Sequence, residues 1–573
     1  MLQNVRLAAL QFSSGLDTQK NLDKILEMLE KAQSEKPHLV VLPEFCNHAS
    51  WYDSQEHCYE VAVDINGNFI KEIGKKARDL ASLLVCNVTL RKPQKKVTAS
   101  SLLFSPEGAI IGVSDKQVLM GHENFFLSRA SEAKSIYETT IGRLGLYACM
   151  DGVIPETTRC LALQGAQILC NSLNSFAKDE AALHVPVRAA ENRVFVVAAN
   201  KVGPLVPLEH MEEISKETKI PEKFLWGAGE SQIIAPDGTI LAKASQCEDE
   251  LIFADCNIRQ ADTKIRPDGN HILKNRRPQL YSNLCKEPEK ITHHEFSKKI
   301  SAAVWQASEY EEAGIDDLCA NIQSIAEQVH ILTLPELFFM KSLTDVDRDH
   351  AERLSQMAIA KICESTKNCR NFFIVGSFLS KDPGSNNLSH NGILISRHGV
   401  IFSQEQLHRS KRYPELQLGS AIRTYDLNFG RIAIVVGEDS LYPEVFRVLA
   451  AAGVDLVLIP MDLVESWEAE YGLKERAAEN RICLVACSRP NLAGASFFAS
   501  LEKDFTLLTP WETRVFDGNI NVPLWSKTPR FPGFFKKDLH LSHSHNKILS
   551  AQTNLINSRP WNLSQVIASS YAT

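Results

Sequence analysis

The sequence lacks the features that would assign it to a membrane-spanning, secreted or nucleic-acid-binding class. No stretch approaches the roughly 18 consecutive apolar residues of a membrane helix, and the opening segment has neither the basic region nor the long apolar region of a signal peptide. Lys and Arg (62) are outnumbered by Asp and Glu (69), and no basic run could follow a phosphate backbone. We therefore expect a soluble, cytoplasmic protein without a nucleic-acid or membrane partner.

The 14 cysteines lack regular pairing and CxxC spacing. Several of them, such as Cys170 and Cys483, lie inside apolar runs typical of buried strands. This distribution indicates free thiols in a reducing compartment. Because a single cysteine is more often a small buried hydrophobe than a nucleophile, a catalytic role for any one of them has to be argued from its neighbours.

The chain does contain an internal repeat, which predicts two similar domains. Four segments of the first copy return in the second copy in the same order and at nearly constant spacing: VRLAALQFSS as ISAAVWQAS, LVVLPEF as ILTLPELF, CMDGVIPE as GEDSLYPE, and RAAENRVFVVA as RAAENRICLVA. Between the copies lies a polar, charged segment that reads as a linker. The predicted organisation is a first domain at 1–284, a linker at 285–298 and a second domain at 299–573.

Within each copy, short apolar runs alternate with amphipathic segments, which indicates layered α/β domains. In the first copy, Asp17 can cap a helix whose apolar residues recur at helical spacing and which leads into a buried strand at 39–42. Further strands are expected at 84–90, 101–104, 144–148, 167–170 and 194–199, and further helices around 69–83, 156–164 and 179–192.

Three residues of the first copy suit amide hydrolysis through a thiol. That reaction needs a nucleophile, a general base, a cation or donor for the oxyanion and an acid for the leaving amine. Glu44 and Cys149 each follow a predicted strand, Lys116 follows the strand-like run 109–114, and strand ends of an α/β sheet converge on one rim. Each residue alone fits a solvated carboxylate, a surface cation or a core thiol. The joint pattern favours a catalytic set.

The LPEF segment, Lys116, CMDGVIPE and RAAENRVFVVAAN make the chain resemble the nitrilase or carbon-nitrogen hydrolase superfamily, once per copy over nearly its whole length. The resemblance implies two tandem four-layer α-β-β-α sandwich domains. It also implies that Glu44 is the general base, that Lys116 stabilises the oxyanion and that Cys149 forms a thioester. Glu123, in GHENFF, would be the additional carboxylate found in many members, and the backbone N–H of Met150 would be a second oxyanion donor.

The substrate class is suggested by the residues that follow the nucleophile. Nitrile hydrolases of the family tend to carry Trp and Glu there, whereas CMDG at residues 149–152 is similar to the CDDG segment of aliphatic amidases. The sequence therefore favours a small amide or N-carbamoyl substrate over a nitrile. Trp51, Tyr52 and Asn174 are candidate pocket residues, although Trp51 fits ordinary interface packing equally well.

Two alternatives belong to other functional classes. One is a non-catalytic ligand-binding or scaffold protein, which would have no reason to retain Glu44, Lys116 and Cys149 together. The other is an amidase subunit that passes ammonia to a synthetase, but the chain contains no Walker loop of a nucleotide-binding partner domain.

The second copy has lost the nucleophile, because Gly437 stands at the position of Cys149. Glu336 keeps the glutamate of the LPE motif, and the lysine position is expected at His408, with Lys411 three residues further on. The resemblance implies that this copy is a pseudo-subunit, paired with the first through helices as an internal pseudo-dimer. Further homo-oligomers of this unit are also conceivable.

A histidine-rich segment near the C-terminus contains His540, His543 and His545. Because no acidic or cysteine ligand pattern accompanies it, it is interpreted as a solvated loop. We therefore expect no metal and no cofactor.

Overall fold

The computed structural model describes residues 4–293, 298–344, 346–381 and 387–571. Among these residues, each copy contains two six-stranded sheets. The expected linker falls between the copies, and its residues 294–297 lie outside the described part. The domain boundaries at 284 and 299 stay a prediction.

The first copy contributes twelve strands and eight α-helices to the described structure. The strands are β1 Asn4–Gln11, β2 Leu39–Val41, β3 Leu83–Arg91, β4 Val97–Phe104, β5 Ile110–Asp115, β6 Ile136–Thr139, β7 Gly142–Ala148, β8 Ile168–Ser172, β9 Phe195–Ala199, β10 Gln232–Ile234, β11 Ile240–Lys243 and β12 Glu250–Asn257. The helices are α1 Thr18–Ala32, α2 Gln55–Val61, α3 Asn68–Leu80, α4 Glu123–Phe126, α5 Met150–Val153, α6 Pro155–Leu163, α7 Val185–Asn192 and α8 Leu208–Thr218.

The second copy repeats this order with fewer helices. Its strands are β13 Lys299–Gln306, β14 Ile331–Thr333, β15 Phe373–Lys381, β16 Leu388–Ser396, β17 Gly399–Glu405, β18 Tyr425–Leu427, β19 Gly430–Ile434, β20 Leu456–Pro460, β21 Cys483–Cys487, β22 Phe497–Ser500, β23 Leu524–Lys527 and β24 Gly533–His540, followed by the hairpin β25 Ile548–Ser550 and β26 Thr553–Asn554. Its helices are α9 Glu311–Ala326, α10 Arg348–Thr366, α11 Pro443–Ala451 and α12 Leu473–Asn480.

The two sheets of the first copy have the strand orders β12-β1-β2-β3-β4-β5 and β11-β10-β9-β8-β7-β6. The central strands β1, β2 and β3 run parallel in one sheet, as do β7, β8 and β9 in the other. The second copy has the corresponding orders β17-β16-β15-β14-β13-β24 and β18-β19-β20-β21-β22-β23. The two copies therefore share one topology.

Each copy is a four-layer sandwich, which confirms the predicted fold class. In the first copy, apolar residues of β1 and β2 pack against those of β7 and β9 in the space between the sheets. Helices α1 and α3 cover the outer face of one sheet. Helices α6 and α7 lie beyond the other sheet, where apolar residues from both copies form a shared core. Apolar burial of this kind is the main stabilising term of such layers.

Local sequence signals explain most elements but not all of their ends. Asp17 caps α1 as predicted, accepting hydrogen bonds from the backbone N–H groups of Gln19 and Lys20. Strand β4 begins at Val97, before the expected start at 101, because its polar residues pair in register with β3. The helix expected over 179–192 opens instead with a π-helical turn, Glu180–His184, which precedes α7.

Reciprocal buried ion pairs join the copies and form the predicted internal pseudo-dimer. Arg159 Nε on α6 donates to Glu444 Oε1 on α11 at 2.9 Å, and Arg447 Nε on α11 donates to Glu156 Oε1 on α6 at the same distance. Although burial raises the pKa of Glu444, Arg159 and Arg276 lower it to below the ordinary value. Because removing one partner would strand a buried charge, these pairs fix how the copies meet.

A second reciprocal set links α7 with α12. Arg188 Nη2 lies 2.6 Å from Glu475 Oε1 and 2.6 Å from Glu479 Oε2, while Arg476 pairs with Glu191 in return.

Among the described residues, no helix combines the length and apolarity that a bilayer crossing requires.

Candidate active site

The structure brings Glu44, Lys116, Glu123 and Cys149 of the first copy together. Glu44 follows β2, Lys116 follows β5, and Cys149 follows β7. Lys116 Nζ lies 2.7 Å from Glu44 Oε1 and 2.9 Å from Glu123 Oε2, with all three side chains buried. The two sheets of the first copy meet at this point, because the Glu44 backbone N–H, which follows β2, donates a hydrogen bond to Leu173 O, which follows β8. The strand ends thus converge as the sequence predicts.

Cys149 occupies a strained backbone position between β7 and α5. Its φ is 46°, a left-handed value that costs energy for any residue with a side chain. The Cys149 N–H donates to Ser172 O at 3.0 Å and to Asn171 Oδ1 at 3.1 Å, which holds the turn in place. The residue retains 9% exposure, whereas Glu44 has none. Cys149 is therefore the more accessible of these two residues.

Burial sets the protonation states of the cluster. The pKa of Glu44 is raised to about 7, because burial and the charge of Glu123 raise it more than Lys116 lowers it. Burial lowers the pKa of Lys116, but Glu123 and Glu44 outweigh this and raise it well above its ordinary range. Burial and Glu44 raise the pKa of Cys149 well above its ordinary value. At neutral pH the cluster accordingly holds a thiol, an ammonium and a carboxyl poised to exchange a proton.

Asp151 fixes the chain that follows Lys116. Its Oδ1 accepts hydrogen bonds from the backbone N–H groups of Gln117 at 3.0 Å and Val118 at 2.8 Å. Its Oδ2 lies 3.2 Å from Lys134 Nζ. Since Asp151 stands two residues after the thiol, it couples the nucleophile turn to the lysine loop.

The other predicted site residues have different surroundings. Met150 begins α5, so its backbone N–H belongs to the first turn of a helix, where N–H groups have no intrahelical acceptor. Tyr52 is buried and packs against Phe126 of α4, the helix that begins with Glu123. Trp51 stacks on His210 of α8 at 5.4 Å between ring centroids, which favours the packing interpretation. Asn174 directly follows Leu173, the residue that accepts from Glu44.

Two further charged residues near the cluster were not found from the sequence. Lys201, buried after β9, donates to Phe45 O at 3.1 Å, and burial lowers its pKa to about 8. Glu180 is buried in the π-helical turn, and its Oε2 has no hydrogen-bond partner among the described residues. Burial raises the pKa of Glu180 to about 7, and its charge contributes to raising the pKa of Cys149. Neither belongs to a recognisable motif, so only the fold reveals them.

The second copy holds the turn that carries Glu180. Asp179 accepts backbone hydrogen bonds from Ile520 at 2.9 Å and from Asn521 at 2.5 Å. At the other end of the turn, His184 Nδ1 lies 2.9 Å from the Glu475 carboxylate. Both partners belong to the second copy, which thereby positions an acidic residue of the first copy's site.

The hairpin β25–β26 of the second copy also braces the loop that carries Glu123. Thr553 Oγ1 accepts from the Gly121 N–H at 2.8 Å and donates to Leu119 O at 3.0 Å. Asn124 Nδ2 lies 3.4 Å from the same hydroxyl. The active-site loop of one copy is therefore held by a hydroxyl of the other.

The corresponding place in the second copy is closed. Gly437 has a φ of 50°, close to that of Cys149, which confirms it as the counterpart of the nucleophile. A Cβ atom built on Gly437 would lie 3.0 Å from Glu336 Oε1. Burial and Glu438 raise the pKa of Glu336 to about 8. The remaining cavity of about 10 Å³ has room for about one water molecule.

The expectation that His408 replaces the lysine is wrong. In the first copy, the backbone N–H of Lys116 donates to Ala99 O on β4. In the second copy, the corresponding hydrogen bond runs from the backbone N–H of Gln406 to His390 O on β16. Gln406 is therefore the counterpart, and His408 pairs with Asp439 at 2.7 Å instead. A two-residue change of loop length explains the error, because counting by offset cannot detect it.

Arg412 supplies the positive charge of the second cluster. Its Nη1 lies 3.4 Å from Glu336 Oε2, and its Nη2 lies 3.6 Å from Asp462 Oδ2. Lys411, the other expected cation, is exposed. Without a thiol, this cluster cannot perform thioester chemistry.

Comparison with known proteins matches the same family model to both copies of the chain. The family model described as carbon-nitrogen hydrolase matches residues 6–264 and again 301–530. A protein named nitrilase from Pyrococcus abyssi is 28% identical over 279 residues, which are 48% of this chain and 99% of that protein. N-carbamoylputrescine amidase from Arabidopsis thaliana is 22% identical over 298 residues, 49% of this chain and 95% of that protein. The crystal structure of an amidase from Nesterenkonia sp. aligns with 46% of this chain and 94% of its own, at 21% identity and a TM-score of 0.38.

Proposed function

Since the chain belongs to the carbon-nitrogen hydrolase family, we propose that its first copy hydrolyses a carbon-nitrogen bond of a small amide or N-carbamoyl compound through a Cys149 thioester. The observation that supports this most directly is Lys116 Nζ, buried between the carboxylates of Glu44 and Glu123 at 2.7 and 2.9 Å. A buried cation placed beside a thiol stabilises negative charge that develops on a carbonyl oxygen. It thus acts on the transition state of acyl transfer.

In the first step, Cys149 Sγ attacks the carbonyl carbon while its proton passes to Glu44. The proton transfer accompanies the attack, because the raised pKa of Cys149 keeps the thiol protonated at rest. The electron pair of the carbonyl moves to oxygen, where Lys116 and the backbone N–H of Met150 stabilise it. Glu44 suits the role of acceptor because its pKa of about 7 matches neutral conditions.

In the second step, the tetrahedral intermediate collapses and the carbon-nitrogen bond breaks. Glu44 returns the proton to the leaving nitrogen, which departs as ammonia or an amine, and the acyl group remains on Cys149. Glu44 then takes a proton from water as the water attacks the thioester. The acid leaves, and the thiol regains a proton from Glu44. Glu123 keeps Lys116 in position and charged throughout.

Ammonia release from a panel of small amides, N-carbamoyl compounds and nitriles tests the proposal. The intact chain should release ammonia from amides or N-carbamoyl compounds, and the Cys149→Ala protein should not. Cys149→Ser should also be almost inactive, since a hydroxyl is far less acidic than a thiol. Mass spectrometry after acid quenching should show the acyl group on the peptide that contains Cys149.

The panel also separates the rival functions. Nitriles belong in it because one relative is named nitrilase, and turnover of nitriles alone would reverse the substrate assignment. Release of ammonia that persists in Cys149→Ala would refute the thioester route. A folded protein that turns over no member of the panel and forms no adduct would support a binding or scaffold role.

A further inference from the structure

A site outside the catalytic cluster joins the segment between the copies to the body of the second copy. His293 belongs to that segment, Asp455 directly precedes β20, and His545 follows the turn after β24. One ligand atom from each side chain lies within 4.8 Å of the others. Asp455 lies 90 positions before His545 in the sequence, and the fold brings the two side chains together.

The geometry of the site is partly set by hydrogen bonds. His545 Nε2 lies 3.1 Å from Asp455 Oδ1, and the rings of His293 and His545 stack with centroids 4.4 Å apart. Ser544 Oγ donates to Asp455 Oδ1 at 2.7 Å, and the Arg431 N–H donates to Asp455 Oδ2 at 2.9 Å. Hydrogen bonds from neighbouring groups hold a metal-binding carboxylate in the orientation that the metal requires.

His293 supplies the feature that points to a ligand. Its Nδ1 is buried and has no hydrogen-bond partner among the described residues. The preceding residue is fixed, because Thr292 O accepts from Arg431 Nη1 at 3.2 Å. A buried polar atom without a partner is costly. A bound cation would remove that cost.

The buried carboxylate of Asp455 supplies the acidic ligand. Asp455 is completely buried, and its Oδ1 lies 3.1 Å from His545 Nε2, so a carboxylate oxygen and an imidazole nitrogen already stand side by side. Zinc binds this pair of ligand types.

We propose that His293, Asp455 and His545 form a zinc site that fastens the segment between the copies to the second copy. Two imidazole nitrogens and one carboxylate oxygen are ligands typical of zinc, with water in the fourth position. Ligand atoms of one tetrahedral zinc ion lie about 3.3 Å apart. The pair His545 and Asp455 already meets this spacing, and His293 closes the remaining gap by moving toward them.

Metal titration of the full chain tests the site without reference to catalysis. After dialysis against a chelator, the chain is titrated with Zn²⁺ by calorimetry and with Co²⁺ by absorption spectroscopy. We expect one equivalent to bind saturably, with a Co²⁺ spectrum of nitrogen and oxygen ligands, and the thermal unfolding midpoint to rise with Zn²⁺. His293→Gln and His545→Gln should each weaken binding more than tenfold and remove the rise.

His540→Gln is the matched control, because His540 stacks on His543 in the same segment but lies outside the three ligands. It should bind metal as the unaltered chain does. The variants of His293 and His545 avoid Asp455, whose loss could disturb folding. Equal binding in all proteins, absence of saturable binding, or a thiolate-to-cobalt charge-transfer band that assigns the metal to a cysteine would each overturn the proposal.

Discussion

At the scale of single residues, the protonation of Glu44 should set the pH range in which the first copy is active. The base must be ionised to accept the thiol proton, and its pKa is raised to about 7 by burial and by Glu123. Below that pH, kcat/KM should fall about tenfold per pH unit, because the fraction of ionised base falls in the same way. Lys116 stays charged over the same range, since its pKa is raised. The measurement is kcat/KM against pH for an amide substrate.

The variant Glu123→Gln tests whether Glu44 is the group that titrates in this pH profile. Removing the negative charge of Glu123 lowers the pKa of Glu44, so the acidic limb should move to lower pH in whatever activity remains. An acidic limb that stays in place in this variant would contradict the assignment of the titrating group.

Glu180 offers a second test at the same scale. Its negative charge contributes to the raised pKa of Cys149, so Glu180→Gln should lower that pKa. The rate of Cys149 alkylation by iodoacetamide at fixed pH should then rise several-fold, as measured by peptide mass spectrometry. Glu217→Gln on the exposed side of α8 is a matched control. An unchanged alkylation profile in Glu180→Gln would show that the two groups do not interact.

The residue scale also shows what the sequence could and could not predict. Glu44, Lys116 and Cys149 were identified because each stands beside a recognisable segment and follows a strand. Glu180 and Lys201 lie outside such segments, and their importance depends on burial and on neighbours from distant parts of the chain. The roles of all five stay predictions until the variants are measured.

At the scale of elements, the hairpin β25–β26 should influence catalysis in the other copy. Thr553→Val keeps the shape of the side chain but leaves the Gly121 N–H without its partner, which costs about 1–3 kcal/mol when the group stays buried, and it removes one of the two donors to Leu119 O. The loop that carries Glu123 loosens, so kcat should fall more than KM changes.

Steady-state kinetics of Thr553→Val against Thr509→Val would measure this effect, since Thr509 is exposed and bonds only within its own loop. Equal kcat in the two variants would show that the loop does not depend on the hairpin.

Element prediction succeeded where a local signal decides the structure. The Asp17 cap and the apolar strand runs can be predicted from local sequence alone. The π-helical turn at Glu180–His184 cannot, because Asp179 and His184 at its ends bind groups of the second copy. Similarly, the misassigned lysine position arose from a loop whose length differs between the copies.

At the scale of the whole molecule, the first copy should not be stable alone. A fragment ending at Leu284 would leave Arg159 and Arg188 without Glu444 and Glu475, and it would expose the apolar core that both copies share. Stranding a buried charge costs about 3–5 kcal/mol. We expect the fragment to aggregate or to be weakly active, as judged by size-exclusion chromatography and ammonia release.

Co-expression of the fragment with residues 299–573 should restore a soluble, active pair, because the interface is rebuilt. A fully active monomeric fragment would contradict the supporting role of the second copy. Glu336→Ala in the intact chain should leave turnover nearly unchanged, since that pocket is closed.

The close approach of Glu336 to Gly437 limits how the second copy could acquire a nucleophile by substitution. Reinstating cysteine at Gly437 would place its Cβ 3.0 Å from a buried carboxylate oxygen, so that the Glu336 side chain would have to move by a few tenths of an ångström. A useful reversion would also have to shift Glu336 and return a lysine at Gln406. A second catalytic centre in this chain therefore requires coordinated changes at Gly437, Glu336 and Gln406, and no single substitution supplies it.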